Sequence, residues 1–280
     1  MAKSFSWHKI SKDGLEKTEG FLRSREIFCV GACSRFISAD FSHIWTYNDE
    51  NQDIAAFLLH SRSSLFPIFT GSRIIPMPRF LGRLLKKVDV YSIQGLCEDI
   101  KILEKGIKEN GLAAADTINY DLMTLDKPPS AGCFLKGPPE LILRPPVHGD
   151  KEELFRLHSA YEQEEVIPRH GHFNPAASRK TLEGLLRAEK MHVAVLGRRI
   201  VGKINTNAKS FTRYQIGGVY VLPEFRGRGI AVKMSAVFIK ELIMSGCGIN
   251  LFVKKHNAPA RNLYSRLGFT ALGDYRINYY

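Results

Sequence analysis

Residues 219–238 read VYVLPEFRGRGIAVKMSAVF: strand formers, a kink at Pro223, two arginines alternating with two glycines, then a helical pattern. These residue types at a strand-to-helix turn suit an anion. A helix start carries free amide donors and the positive end of the peptide dipole, so it attracts phosphate. Glycines let the backbone approach closely and take up a positive φ where a turn needs one. Arginine adds charge and a forked donor set. The run Arg226, Gly227, Arg228, Gly229, Ile230 and Ala231 is therefore predicted to cradle a diphosphate.

Three cradles compete. The P-loop pattern GxxxxGK followed by Ser or Thr is absent. The dinucleotide fingerprint GxGxxG is half met, because Val232 replaces its third glycine. The acidic ribose-binding residue expected some way downstream is also missing from INLFVKK. The third candidate is an acyl-coenzyme A cradle.

The elements that would position this turn read clearly in the second half of the chain. ELILRPP is a strand. Asp150 is predicted to cap a helix, with Glu153 completing a box-like pair and Leu154, Leu157 and Tyr161 on the buried face. A second helix covers SRKTLEGLLRAEK. HVAVLG and RRIVGKINTNA form two strands joined at Gly197-Arg198, and YQIGGVYVL forms a third. After the turn, a helix buries Ala231, Ser235, Phe238, Leu242 and Ile243 and stops at Gly246. INLFVKK is a strand, Asn257 caps a short helix that ends before Gly268, and FTALGDYRINYY closes the chain as strand.

The first half is a blurred version of the same order. A helical stretch from Leu15 to Ile37 precedes two strands in HIWTYNDENQDIAAFLLHS; a strand in DVYSIQG, a helix from Cys97 and a strand in INYDLMTL follow. Both halves imply an α/β fold with a mixed sheet, repeated in tandem. Proline pairs at 128–129, 138–139 and 145–146 mark an extended connector, so the domains are predicted at 1–135 and 136–280.

Composition narrows the functions. Residues 1–135 hold 17 Lys+Arg against 16 Asp+Glu, and residues 136–280 hold 23 against 12, so nearly all of the net charge of +12 lies in the second half. That surplus calls for an anionic partner there. The half has no CxxC-type finger and no RNP aromatic motif, and the phosphates of a cofactor suffice to explain its charge, so nucleic acid is not the expected partner. No run of 18 apolar residues occurs and the start carries no apolar leader, which predicts no membrane span and a cytoplasmic location. PRFLGRLLKK is basic and amphipathic, and reads either as a membrane-surface segment or as a covering helix with a solvated basic face. Five cysteines without a zinc-like pair suit a reducing compartment. Cys29 and Cys33 read as buried thiols in a helix, and no metal site is expected; the loop histidines His170 and His172 lack a third ligand.

Two stretches resemble a known family. VYVLPEFRGRGIA is similar to the central V-x-P-x-x-R-G-x-G-x-A motif of the GNAT acetyltransferase superfamily. Asn257 to Phe269, NAPARNLYSRLGF, resembles that family's second signature, N-x-x-A-x-x-x-Y-x-x-x-G-F. The resemblance covers about residues 140–280. The whole chain looks like bacterial proteins that join a degenerate GNAT-like domain to an active one.

The resemblance implies an acetyl-CoA-dependent N-acetyltransferase in which an amine attacks the thioester directly. Val219, Tyr220 and Val221 would offer backbone groups to the pantetheine arm, where their strand splays from INLFVKK. Arg226 to Ala231 would wrap the pyrophosphate, Asn257 would contact the cofactor arm, and Tyr264 would face the sulfur as general acid. Such chemistry also needs an oxyanion stabiliser, which the amides near Val219 suit, and a base. Glu164 and Glu165 are the candidates for base or for holding a cationic acceptor; a solvated acidic helix end with Glu162 explains them equally well. Lys203 and Asn205 read either as lining an acceptor cleft or as an ordinary sheet face. An acyl-CoA sensor of the same fold, without turnover, is the alternative function. In the first half, Gln94 to Asp99 is taken as the turn matching RGRGIA. With one glycine, no arginine and Glu98 and Asp99 at the helix start, it is predicted to repel phosphate.

Overall fold

The computed structural model describes residues 6–11, 14–71, 77–167 and 171–280. It divides into two compact units, one of residues 1–122 with 272–280 and one of residues 123–271. The division therefore differs from the expected cut at 135/136. The proline-rich connector packs into the second unit, with Cys133 and Leu141 in its core, while the last strand of the chain is counted with the first unit.

The first unit contains β1 (His8–Lys9), α1 (Leu15–Arg25), α2 (Val30–Ile37), β2 (His43–Asn48), β3 (Ile54–Ser61), β4 (Ser64–Phe69), α3 (Pro78–Leu84), β5 (Ser92–Leu96) and α4 (Cys97–Glu109), with the start of β6 (Asp116–Leu125). The helical stretch predicted over 15–37 is two helices, broken by a 3-10 turn and by Cys29 at φ −142°. Strands β1 to β4 pair antiparallel in sequence order. β3 and β4 are joined at Arg62 and Ser63, both with positive φ, the backbone that two-residue hairpins favour. β4 then runs parallel to β5. β5 also pairs antiparallel with Tyr275–Tyr279 of the final strand, β12 (Thr270–Tyr279). Leu65, Leu81, Ile93, Ile100 and Leu103 form its core. Phe80, Leu81 and Leu84 of α3 are buried, so PRFLGRLLKK covers this core with its apolar face.

The second unit holds α5 (Ala131–Phe134), β7 (Ile142–Arg144), α6 (Lys151–Tyr161), α7 (Pro175–Ala188), β8 (Met191–Leu196), β9 (Arg199–Lys209), β10 (Arg213–Val221), α8 (Ile230–Met244), β11 (Gly248–Lys254) and α9 (Ala258–Leu267). β7 to β10 pair antiparallel in order, and β10 runs parallel to β11. Both units thus follow α-α-β-β-β-α-β-α, the tandem repeat the sequence suggested. The core of the second unit gathers Ile204, Ile216, Met234, Phe238, Ile239, Ile249 and Leu251.

Two expectations fail locally. Asp150 does not cap α6 through its side chain. It ends a 3-10 turn, and its carboxylate accepts from Val147 N–H (2.7 Å) and from both terminal nitrogens of Arg144. Glu153 instead accepts from Ile200 N–H. The element order also moves the first unit's counterpart of RGRGIA. The β10-to-α8 turn corresponds to the β4-to-α3 connection, of which 72–76 lie outside the described residues. Gln94 to Asp99 instead joins β5 to α4 and corresponds to the β11-to-α9 turn.

Candidate functional site

The site grows from an irregularity in β10. Its register against β9 shifts between Gly217, opposite Asn205, and Tyr220, opposite Lys203, so Gly218 and Val219 stand in a bulge. A bulge needs an unusual backbone, and Gly218 supplies it with φ +59°. On its other edge β10 pairs with β11 only from Arg213–Gly248 to Gln215–Asn250. Beyond that the two strands diverge and open a cleft of about 550 Å³.

After Val221 the chain makes a 3-10 turn at Pro223–Phe225, extends at Arg226 and enters α8 through Gly227 and Gly229. Both glycines have φ +76°. Gly229 is also crowded: a Cβ there would stand 2.7 Å from Gly137 N. A side chain at Gly229 would run into Lys136 and Gly137 of the connector, so the turn packs there as bare backbone. Arg226 is folded back on the strand, its Nε donating to the Val221 carbonyl (2.9 Å).

Two carboxylates enter from the other side. After α6 the chain makes one π-helical turn, Glu162–Val166, a local irregularity often found at functional sites. Glu164 Oε2 accepts from Arg226 Nη2 (2.8 Å) and from the Tyr220 hydroxyl (2.9 Å). The Arg226 guanidinium holds the Glu164 carboxyl below its usual range, with Tyr220 assisting. Burial, with Glu164 beside it, pushes the Tyr220 phenol up to about 12. Glu165 Oε1 accepts from Asn257 Nδ2 (3.1 Å), and Lys254 Nζ lies 3.4 Å from Glu165 Oε2. Asn257 Oδ1 meanwhile caps α9 through Ala260 N–H. One turn further, Tyr264 is buried, 7% exposed, and burial raises its hydroxyl well above the ordinary value.

Val219, Tyr220, Val221, Arg226, Gly227, Gly229, Ile230, Ala231, Asn257, Glu164, Glu165 and Tyr264 all line this one cleft. Arg228 does not. Its guanidinium stacks over Phe225 and borders an adjoining hollow with Lys136 and Arg266. Lys203 and Asn205 do not line the cleft either; both are buried behind the bulge, at 0% and 1% exposure. Phe225, Pro259, Leu263 and Arg266 line it without having been singled out. His170 falls outside the described residues, and His172 is exposed. Among the described residues no three His, Cys, Asp or Glu side chains converge as a metal site would require. None of the described helices is long and apolar enough to cross a membrane.

The model of the acetyltransferase (GNAT) family matches residues 152–269, which contain the bulge, the glycine turn and α9. Residues 152–269 thus carry a GNAT acetyltransferase domain. Solved GNAT structures resemble it along nearly its whole length. An acetyltransferase of the GNAT family from Colwellia psychrerythraea is 11% identical, with a TM-score of 0.61 over 98% of this chain and 99% of that one. A tandem GNAT protein from the clavulanic acid biosynthesis pathway is 12% identical, with a TM-score of 0.62 over 98% of each. At these identities the likeness is one of fold, and it extends over both units. A mycothiol acetyltransferase from Corynebacterium jeikeium (strain K411) is 44% identical over 57 residues. That match spans 19% of this chain and 16% of the relative's length.

Proposed function

We propose that the second unit is an acetyl-CoA-dependent N-acetyltransferase that passes the acetyl group directly to a primary amine. The observation that carries this reading is the cleft, where the divergence of β10 from β11 meets the Gly227–Gly229 turn and Tyr264. The pantetheine arm lies along Val219 to Val221, whose strand has lost its β11 partner. The pyrophosphate sits on Arg226 to Ala231, where Gly227 and Gly229 present bare backbone at positive φ. Asn257, fixed as the α9 cap, contacts the cofactor arm.

The chemistry follows from the same groups. A Val219 N–H meets the thioester oxygen as negative charge develops there. Tyr264 remains a phenol through neutral pH, because burial raises its pKa, and it protonates the departing thiolate. Glu164, held as a carboxylate by Arg226 and Tyr220, positions those two side chains. Glu165 is then the better placed of the two for receiving the proton of the attacking ammonium, through water. The first unit is proposed to carry no donor site.

The test is a screen of primary amines with acetyl-CoA, reading free thiol, followed by Tyr264→Phe on any substrate found. Loss of kcat with unchanged acetyl-CoA affinity supports the acid role. Unchanged kcat overturns that role. Binding of acetyl-CoA without turnover of any amine favours a sensor of the same fold.

A further inference from the structure

Lys203 shows no exposure. An ammonium is costly to bury unless other groups replace its water. Here Asn205 Oδ1 and the Gly218 carbonyl oxygen each accept from Nζ at 3.1 Å. The Tyr161 ring lies 4.3 Å away, its centroid facing the cation. Glu162 of the π-helical turn supplies the opposing charge, and His158 of α6 lies 3.2 Å from that carboxylate. Tyr161 adds no charge, since burial pushes its phenol up to about 12. Gly218 itself is tightly enclosed: a Cβ there would collide with Asn205 Oδ1 and stand 2.6 Å from Lys203 Nζ.

The grip has a consequence one atom further on. A trans peptide is planar, with its carbonyl and its N–H pointing in opposite directions. Fixing the Gly218 oxygen on the ammonium therefore fixes the Val219 N–H, aimed away from Lys203, and Val219 lines the cleft. A cation on the carbonyl also polarises the peptide and strengthens its N–H as a donor.

We propose that Lys203 is a positioning residue for acetyl transfer: it grips the Gly218 carbonyl, and so aims and polarises the Val219 N–H that meets the thioester oxygen. The inference rests on the acetyl-CoA reading above, and gives that site a residue that never touches the donor.

The experiment is difference infrared spectroscopy of acetyl-CoA, labelled with carbon-13 at the thioester carbonyl, bound to the full chain. The wild type is expected to lower the carbonyl stretch relative to free acetyl-CoA. Lys203→Met, which keeps the apolar stem and loses the donors, should bind acetyl-CoA with similar affinity and lose most of that lowering. A Lys203→Met spectrum like the wild type's overturns the proposal. If Lys203→Met does not fold, the wild type decides by pH. Burial pulls the Lys203 pKa down to about 7, opposed by Glu162, so the cation is present below that pH and lost above it. The lowering should then shrink as pH rises through this range, and a stretch that ignores pH overturns the proposal. A wild type that binds no acetyl-CoA removes the acetyl-transfer reading, and this inference with it. Binding with a stretch indifferent to both Lys203 and pH removes the inference alone.

Discussion

Each unit contains a pair of parallel strands that part company. In the second, β10 leaves β11 after Gln215–Asn250; in the first, β4 leaves β5 after Leu65–Ile93. The space that opens is about 550 Å³ in the second and about 20 Å³ in the first, the latter room for about one water. Topology is the same, so the side chains make the difference. In the first unit Phe28, Phe66, Pro67 and Tyr275 crowd the gap, and Asp99 accepts from Phe69 N–H at 3.2 Å. The Cys29 and Cys33 sulfurs lie 3.6 Å apart there. The hydrogen bond with Cys33, then burial, raises the Cys29 thiol well above its usual range, which leaves it inert. In the second unit the same place is left open between Val219, Val221, Phe225, Ile230 and Leu263, with Glu164, Glu165, Asn257 and Tyr264 among its polar groups.

The comparison can be broken by four changes, in falling order of effect. Tyr264→Phe should lower kcat by roughly 10²–10⁴-fold, the usual worth of an acid catalyst, and leave acetyl-CoA affinity unchanged by calorimetry. Next comes the cradle. Gly229→Ala adds a Cβ against Gly137 N, whereas Gly227→Ala meets nothing within 4 Å. Both pay the strain of a positive φ, about 1–2 kcal/mol, so Gly229→Ala should weaken acetyl-CoA binding clearly more than Gly227→Ala. Equal losses would mean that close packing of the turn is irrelevant.

The third change is in the closed gap. Burial pushes the Asp99 carboxyl up to about 7 from an ordinary 3.8. The ionised form is disfavoured in the fold, so this residue's cost is absent below about pH 4 and grows until about pH 7. Asp99→Asn keeps an acceptor for Phe69 N–H and should be more stable than wild type in urea at pH 8, with the gap vanishing at pH 4. It should gain no acetyl-CoA binding. Smallest is Glu164→Gln. The Arg226–Glu164 pair is 45% and 42% exposed, and such pairs are worth about 0–1 kcal/mol, so acetyl-CoA affinity should change by no more than about fivefold.

Much of the second unit was legible because its signals are local. Asn257, Pro259 and Gly268 bracket a helix, and a glycine turn opens α8. The first unit was harder to read. β4 carries Pro67 inside a strand, which removes a donor and hides the element from pattern reading. Without β4 in the pattern, the counterpart of the glycine turn falls one connection too late, at Gln94. The division of the chain was also hidden, because pairing of β12 with β5 joins residues far apart in sequence. Within the site, spacing put Asn257 and Tyr264 on one helix. Lys203 gave no such signal, since only the bulge in β10 brings its ammonium onto the Gly218 carbonyl.

The most direct measurement is calorimetric titration of the full chain with acetyl-CoA, beside a Gly229→Glu variant whose fold is checked by circular dichroism. The account predicts one acetyl-CoA per chain in the wild type and none in the folded variant. Two per chain, one that survives Gly229→Glu, or none in the wild type would contradict it.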